Sequence, residues 1–126
     1  MIIGVGIDIV EVYRIRDAIA KTPRFAARVF TQAERDYCES KGVAASQSYA
    51  ARFAAKEACL KALKTGWRGK ISWHDIEVVT DADGVPTLSI TGEAKKILHN
   101  LGANCIHISI SHTTEHAISE VILEKA

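Results

Sequence analysis

The chain has 126 residues, 48% hydrophobic and 25% charged, with a formal net charge of +1. That length and balance suit one domain with its own hydrophobic core and exclude a disordered tail, a collagen-like rod and a disulfide scaffold. No apolar run reaches the roughly 18 residues of a membrane span, and Met1 to Ile7 lacks a basic lead-in and meets Asp8 at once, so no membrane anchor or signal peptide is expected. Three widely spaced cysteines, Cys38, Cys59 and Cys105, form no C-x-x-C pair and fit reduced thiols in a cytoplasmic protein. The small net charge hides an asymmetry: residues 1–70 hold 13 Lys and Arg against 7 Asp and Glu, and residues 71–126 hold 3 against 8. Much of the excess lies between Arg14 and Arg28, where Arg14, Arg16, Lys21, Arg24 and Arg28 face only Asp17, which points to an acidic partner or to a solvated helix face.

In chain order, Ile2 to Ile9 is β-branched and predicts a buried strand, with Gly4 and Gly6 marking a bulge or a close backbone approach and Asp8 as its one charge. Helical spacing follows at Ile15, Ala18 and Ile19 until Pro23, and Phe25 to Phe30 predicts a short helical piece. Thr31 and Glu34 make a capping box for a helix ended by Gly42. The most helical segment is alanine-rich and runs from about Ser48 to Lys64, with Gly66 as its stop signal. Its alanines at 51, 54, 55, 58 and 62 gather on one side, able to approach a sheet closely, while Phe53, Glu57, Lys61 and Lys64 form a second stripe suited to a metal and phosphates. Ile76 to Thr80 and Thr87 to Ile90 predict a hairpin about an acidic turn that lacks the other ligands of a calcium loop. A helix follows from Thr91 and Gly92 to Gly102, then a second hairpin in which Ile106, Ile108 and Ile110 alternate with His107, Ser109 and Ser111 and pair with Ala117 to Leu123. The result is an α+β fold in one domain spanning 1–126.

Several motifs point to chemistry. Gly4 and Gly6 lack the third glycine of a dinucleotide fingerprint, and no Walker A sequence is present. His112, Glu115 and His116 fit the H-x-x-E-H of some zinc peptidases, but two adjacent threonines between alternating strands favour a turn over the helix that this motif needs. Asp8 and Glu57 are two carboxylates from distant segments, the incomplete oxygen shell in which magnesium is held alongside phosphate oxygens and water. Lys61, one turn after Glu57, would neutralise phosphate charge or simply pair with Glu57.

Three stretches together resemble the holo-acyl-carrier-protein synthase family of small 4′-phosphopantetheinyl transferases: Gly4 to Ile15, Arg52 to Ala62, and Ile108 to Thr113, in the right order and spacing. Cys59, Leu60, Trp67 and Arg68 read as positions where that family varies. The resemblance implies the 4′-phosphopantetheinyl transferase fold, a small, mostly antiparallel sheet on a long central helix, in subunits that form a homotrimer with coenzyme A bound between neighbours. It implies transfer of the phosphopantetheine arm of coenzyme A to a serine of an acidic apo acyl carrier protein, leaving adenosine 3′,5′-bisphosphate, in support of fatty acid biosynthesis. By the same resemblance Asp8 and Glu57 would bind Mg2+, Glu57 and Lys61 would be catalytic, and the serine proton would pass either to Glu57 or to water on the metal. Arg52, Lys56, Lys61, Ser111, His112 and Thr113 would contact coenzyme A, and Arg14, Arg24 and Arg28 would dock the carrier. No nucleic-acid or membrane partner is expected. The competing class is a noncatalytic binding module with a basic face, which the 6% aromatic content and the lack of any RNA-binding aromatic motif disfavour.

Overall fold

A computed structural model of the chain describes residues 1–66 and 69–126; Trp67 and Arg68, read above as variable positions, lie outside the described residues. Strand β1 (Ile2–Glu11) runs directly into helix α1 (Val12–Lys21), and α2 (Phe25–Val29) and α3 (Gln32–Glu39) lead to the central helix α4 (Ala45–Leu63). Strands β2 (Ile76–Thr80) and β3 (Pro86–Ile90), helix α5 (Gly92–Asn100) and strands β4 (Cys105–His112) and β5 (His116–Glu124) complete the chain. All pairing is antiparallel, in a three-stranded sheet of order β1-β5-β4 and a separate β2-β3 hairpin. No described helix is long and apolar enough to cross a membrane.

The capping box at Thr31 is complete: Glu34 N–H donates to Thr31 Oγ1 at 3.2 Å and Thr31 N–H to Glu34 Oε1 at 2.8 Å. Its helix stops at Glu39, before Gly42, which lies in a separate 3-10 turn. Helix α4 likewise ends before its glycine, with Lys64 itself in the left-handed region at φ 65°. The turn after β2 is closed by the Asp81 side chain, whose Oδ1 accepts from the N–H groups of Asp83 and Val85, each at 2.9 Å. That carboxylate is occupied as a plain turn requires.

Helix α4 is buried on nearly every side, as its alanines permit. Its first half packs Tyr49, Ala50 and Ala51 against Val12, Ile15, Phe30 and Cys38. Its second half packs Ala58, Leu60, Ala62 and Leu63 against Ile76, Val121 and Leu123. One expectation about β1 fails. The strand is buried on one face only: Gly4 and Gly6 lie against the helix, while Val5, Ile7 and Ile9 are 54%, 53% and 63% exposed. The glycines take inward positions, so Val5, Ile7 and Ile9 point out, while Ile3 and Val10 pack against the core.

Candidate active site

A Cβ on Gly6 would lie 1.8 Å from the Ala58 carbonyl oxygen, and one on Gly4 would lie 2.3 Å from that of Ala62. Only glycine lets β1 rest on α4 at this distance. Strand alternation then places Asp8 on the same helix-facing side. There Asp8 Oδ1 meets Lys61 Nζ at 3.2 Å, and the same ammonium donates to the Ile7 carbonyl at 2.9 Å. The Lys61 side chain is 55% exposed and that of Asp8 18%, so the pair stands at an opening. Glu57, half-buried, lies one helical turn before Lys61. The fold thus brings Asp8 to the Glu57 and Lys61 face of α4 and leaves charge open to solvent there.

Arg52 and Lys56, expected to contact coenzyme A, are buried in the chain rather than set at this opening. Lys56 has no solvent exposure; its ammonium pairs with Glu34 Oε1 at 2.8 Å and donates to the carbonyls of Trp73, at 3.1 Å, and Ile76. Its three donors are thereby occupied. Burial pushes the Lys56 ammonium below the ordinary lysine range, opposed by the adjacent Glu34 carboxylate. Arg52, 6% exposed, donates to Thr80 Oγ1 at 2.9 Å and to the Ser48 carbonyl at 3.4 Å, with its guanidinium over the Tyr37 ring. Neither residue is an exposed helix cation. Glu34, read from sequence only as a cap, is the residue that reasoning missed: besides capping, it binds Lys56 and accepts from Val78 N–H at 2.8 Å. A carboxylate at the cap of one helix and a lysine on an alanine-rich one carried the signal.

Ser111, His112 and Thr113 lie at the far end of β4. Asp8 pairs across β5 with Ser119, whereas Ser111 pairs with Ile118, which lies opposite Ile9. Directly paired residues share a face, so Ser111 points away from α4 while Asp8 points toward it. His112 turns back to the start of α4, where its Nδ1 meets Gln47 Oε1 at 3.0 Å. Gln47 precedes Glu57 by ten residues, about 15 Å along a helix. Thr113 closes the hairpin, its Oγ1 accepting from the Glu115 and His116 N–H groups. Within one chain, therefore, this loop and the Asp8 opening stay apart. His116 falls on the opposite sheet face from His112, so the H-x-x-E-H residues form no shared ligand set.

The basic segment is exposed throughout. Arg14 on α1 pairs with Glu11 at 3.1 Å; Arg24, at φ 68°, is the N-cap of α2 and Arg28 lies in its last turn.

Comparison with known proteins identifies the family and its fold. A holo-[acyl-carrier-protein] synthase of Koribacter versatilis is 49% identical over 98% of this chain and 99% of its own. The crystal structure of a Bacillus anthracis holo-(acyl-carrier-protein) synthase in complex with CoA (3′,5′-ADP) superposes with a TM-score of 0.82 at 39% identity, covering 100% of this chain and 99% of that one. The Neisseria meningitidis holo-[acyl-carrier-protein] synthase gives a TM-score of 0.85 at 36% identity, over 99% of this chain and all of its own. The model of the 4′-phosphopantetheinyl transferase superfamily matches residues 4–119, from the first glycine against α4 to the strand opposite Asp8, and the chain belongs to that family.

Proposed function

We propose that the chain is a magnesium-dependent holo-acyl-carrier-protein synthase that works in the cytoplasm. It moves the 4′-phosphopantetheine arm of coenzyme A to a serine of an apo acyl carrier protein, in support of fatty acid biosynthesis. The observation that carries this reading is the Asp8–Lys61 pair, set beside Glu57 by the glycine contact of β1 on α4, in a chain similar to such synthases along its whole length. In the reaction the serine Oγ bonds to the β-phosphorus, the bridging P–O bond breaks, and adenosine 3′,5′-bisphosphate leaves with the electron pair. The serine proton passes to Glu57 or to water.

Asp8 and Glu57 would hold Mg2+, because two carboxylates on facing elements, one of them at the solvent opening, are the hard oxygen donors that this ion accepts next to phosphate and water. When bound, the ion would withdraw charge from the pyrophosphate and ease departure of the bisphosphate. Lys61 supplies a fixed positive charge beside the transferring group. Ser111, His112 and Thr113 bind coenzyme A, and they do so for the Asp8 opening of a neighbouring subunit. Two observations support this shared site: the loop and the opening stay apart within one chain, and the outer sheet face leaves Val5, Ile7, Ile9 and Ile118 exposed. An apolar face of that kind fits burial in a homotrimer. Arg14, Arg24 and Arg28 meet the acidic carrier, where complementary charge speeds encounter and sets orientation.

The test is intact-mass spectrometry of an acidic apo carrier incubated with this protein and coenzyme A, with and without Mg2+. A magnesium-dependent gain of one phosphopantetheine arm is expected. No gain on several carriers would overturn the reading. Light scattering should also show a trimer that Ile7→Glu converts to monomers, with loss of transfer.

A further inference from the structure

The outer face of the three-stranded sheet carries, at the end away from His112, a group of side chains with no part in the transfer. Cys105 and His107 are two apart on β4 and so share a face, and Glu124 on β5 stands directly opposite Cys105. His107 Nε2 lies 2.8 Å from Glu124 Oε1 and 3.5 Å from Cys105 Sγ, and one ligand atom of each residue lies within 4.8 Å of the others. We propose that Cys105, His107 and Glu124 form a binding site for a thiophilic divalent cation of the zinc class.

The spacing fits that chemistry. With ordinary zinc bond lengths and a tetrahedral angle, a sulfur and an imidazole nitrogen stand about 3.6 Å apart, and a nitrogen and a carboxylate oxygen about 3.4 Å. The first separation is already present, and the second needs the His107–Glu124 contact to open by about 0.6 Å. Within the single chain the His107 side chain is 55% and that of Glu124 35% exposed, at the end of the outer face beyond Val5, Ile7 and Ile9. An ordinary surface ion pair would account for His107 and Glu124 but not for a thiol converging on the same nitrogen. On binding, the thiol proton leaves to solvent, the imidazole binds neutral through Nε2 with its proton on Nδ1, and water takes the fourth position. A mixed sulfur, nitrogen and oxygen set favours zinc over magnesium, so this site and the all-oxygen Asp8–Glu57 pair are separate in position and in preferred ion.

The experiment titrates the reduced, metal-free protein with Co2+ and then Zn2+, reading cobalt absorption and bound metal per chain. One equivalent per chain with a thiolate-to-cobalt charge-transfer band is expected. The band should vanish in Cys105→Ser, and affinity should fall at least about 10-fold in His107→Ala and Glu124→Gln, since even an outer-shell partner is worth that much. His116→Ala should bind as the parent does, and excess Mg2+ should not displace the metal. No thiolate band in the parent, or affinity and stoichiometry unchanged by Cys105→Ser and Glu124→Gln, would overturn the proposal. None of these readouts depends on transferase activity.

Discussion

Lys56 and Lys61 lie five residues apart on α4, and each meets a carboxylate, Glu34 at 2.8 Å and Asp8 at 3.2 Å. The first pair has no solvent exposure and its lysine donates to two further carbonyls; the second stands open, with most of its lysine in water. A buried pair is fixed because removing either partner strands a charge away from water. An open pair costs little to part, so its members remain free to meet a phosphate or an ion. The two pairs are alike in chemistry, and what surrounds them makes one a structural strut and the other a candidate site.

The sharpest way to break that contrast is Lys56→Met, which keeps the length of the side chain and leaves Glu34 unpaired. A loss of about 3–5 kcal/mol in denaturant unfolding is expected, and a variant as stable as the parent would show that the buried pair does not hold α3 to α4. Next comes Glu57→Gln at the open end. It preserves shape while removing a charge needed for the ion, so transfer should fall at least about 10³-fold, roughly 4 kcal/mol in the barrier, with the unfolding midpoint unchanged. Normal activity would sink the metal assignment. A smaller effect is expected of Gly6→Ala, whose Cβ would meet the Ala58 carbonyl at 1.8 Å. Parting β1 from α4 should cost about 1–3 kcal/mol in stability and lower activity as well, because Asp8 moves with the strand.

Much of this was legible in the sequence, and the failures share a cause. The glycines at 4 and 6, the alanine face of α4, the capping box at Thr31 and both hairpins follow from local spacing, which a sequence displays. The burial of Arg52 and Lys56 does not. Long basic side chains on a helix normally face water, and nothing near them in the chain shows that α3, the 3-10 turn at Trp73–Asp75 and β2 cover this side of α4. Their partners Glu34, Trp73, Ile76 and Thr80 lie at least 17 residues away. The exposure of Val5, Ile7 and Ile9 was missed for a related reason. A run of branched residues reads as buried on both faces unless the glycines between them are recognised as the face that touches the helix.

A small stability effect is also expected of Lys61→Met, and this variant distinguishes two roles for the open pair. An exposed pair contributes at most about 1 kcal/mol, so the unfolding midpoint should shift little, in contrast with Lys56→Met on the same helix. Activity should nevertheless fall about 10²-fold, the scale for losing one positive group beside developing charge. The Mg2+ concentration for half-maximal activity then separates the alternatives. If Lys61 acts on the substrate, its removal frees Asp8 of a competing cation, and the Mg2+ requirement should hold or fall. If Lys61 serves mainly to anchor Asp8 and the Ile7 carbonyl, as its 3.2 Å and 2.9 Å contacts also allow, the carboxylate loses its placement and the requirement should rise. The direct role of Lys61 predicts the first outcome, and a raised Mg2+ requirement at unchanged saturating rate would reassign it to positioning.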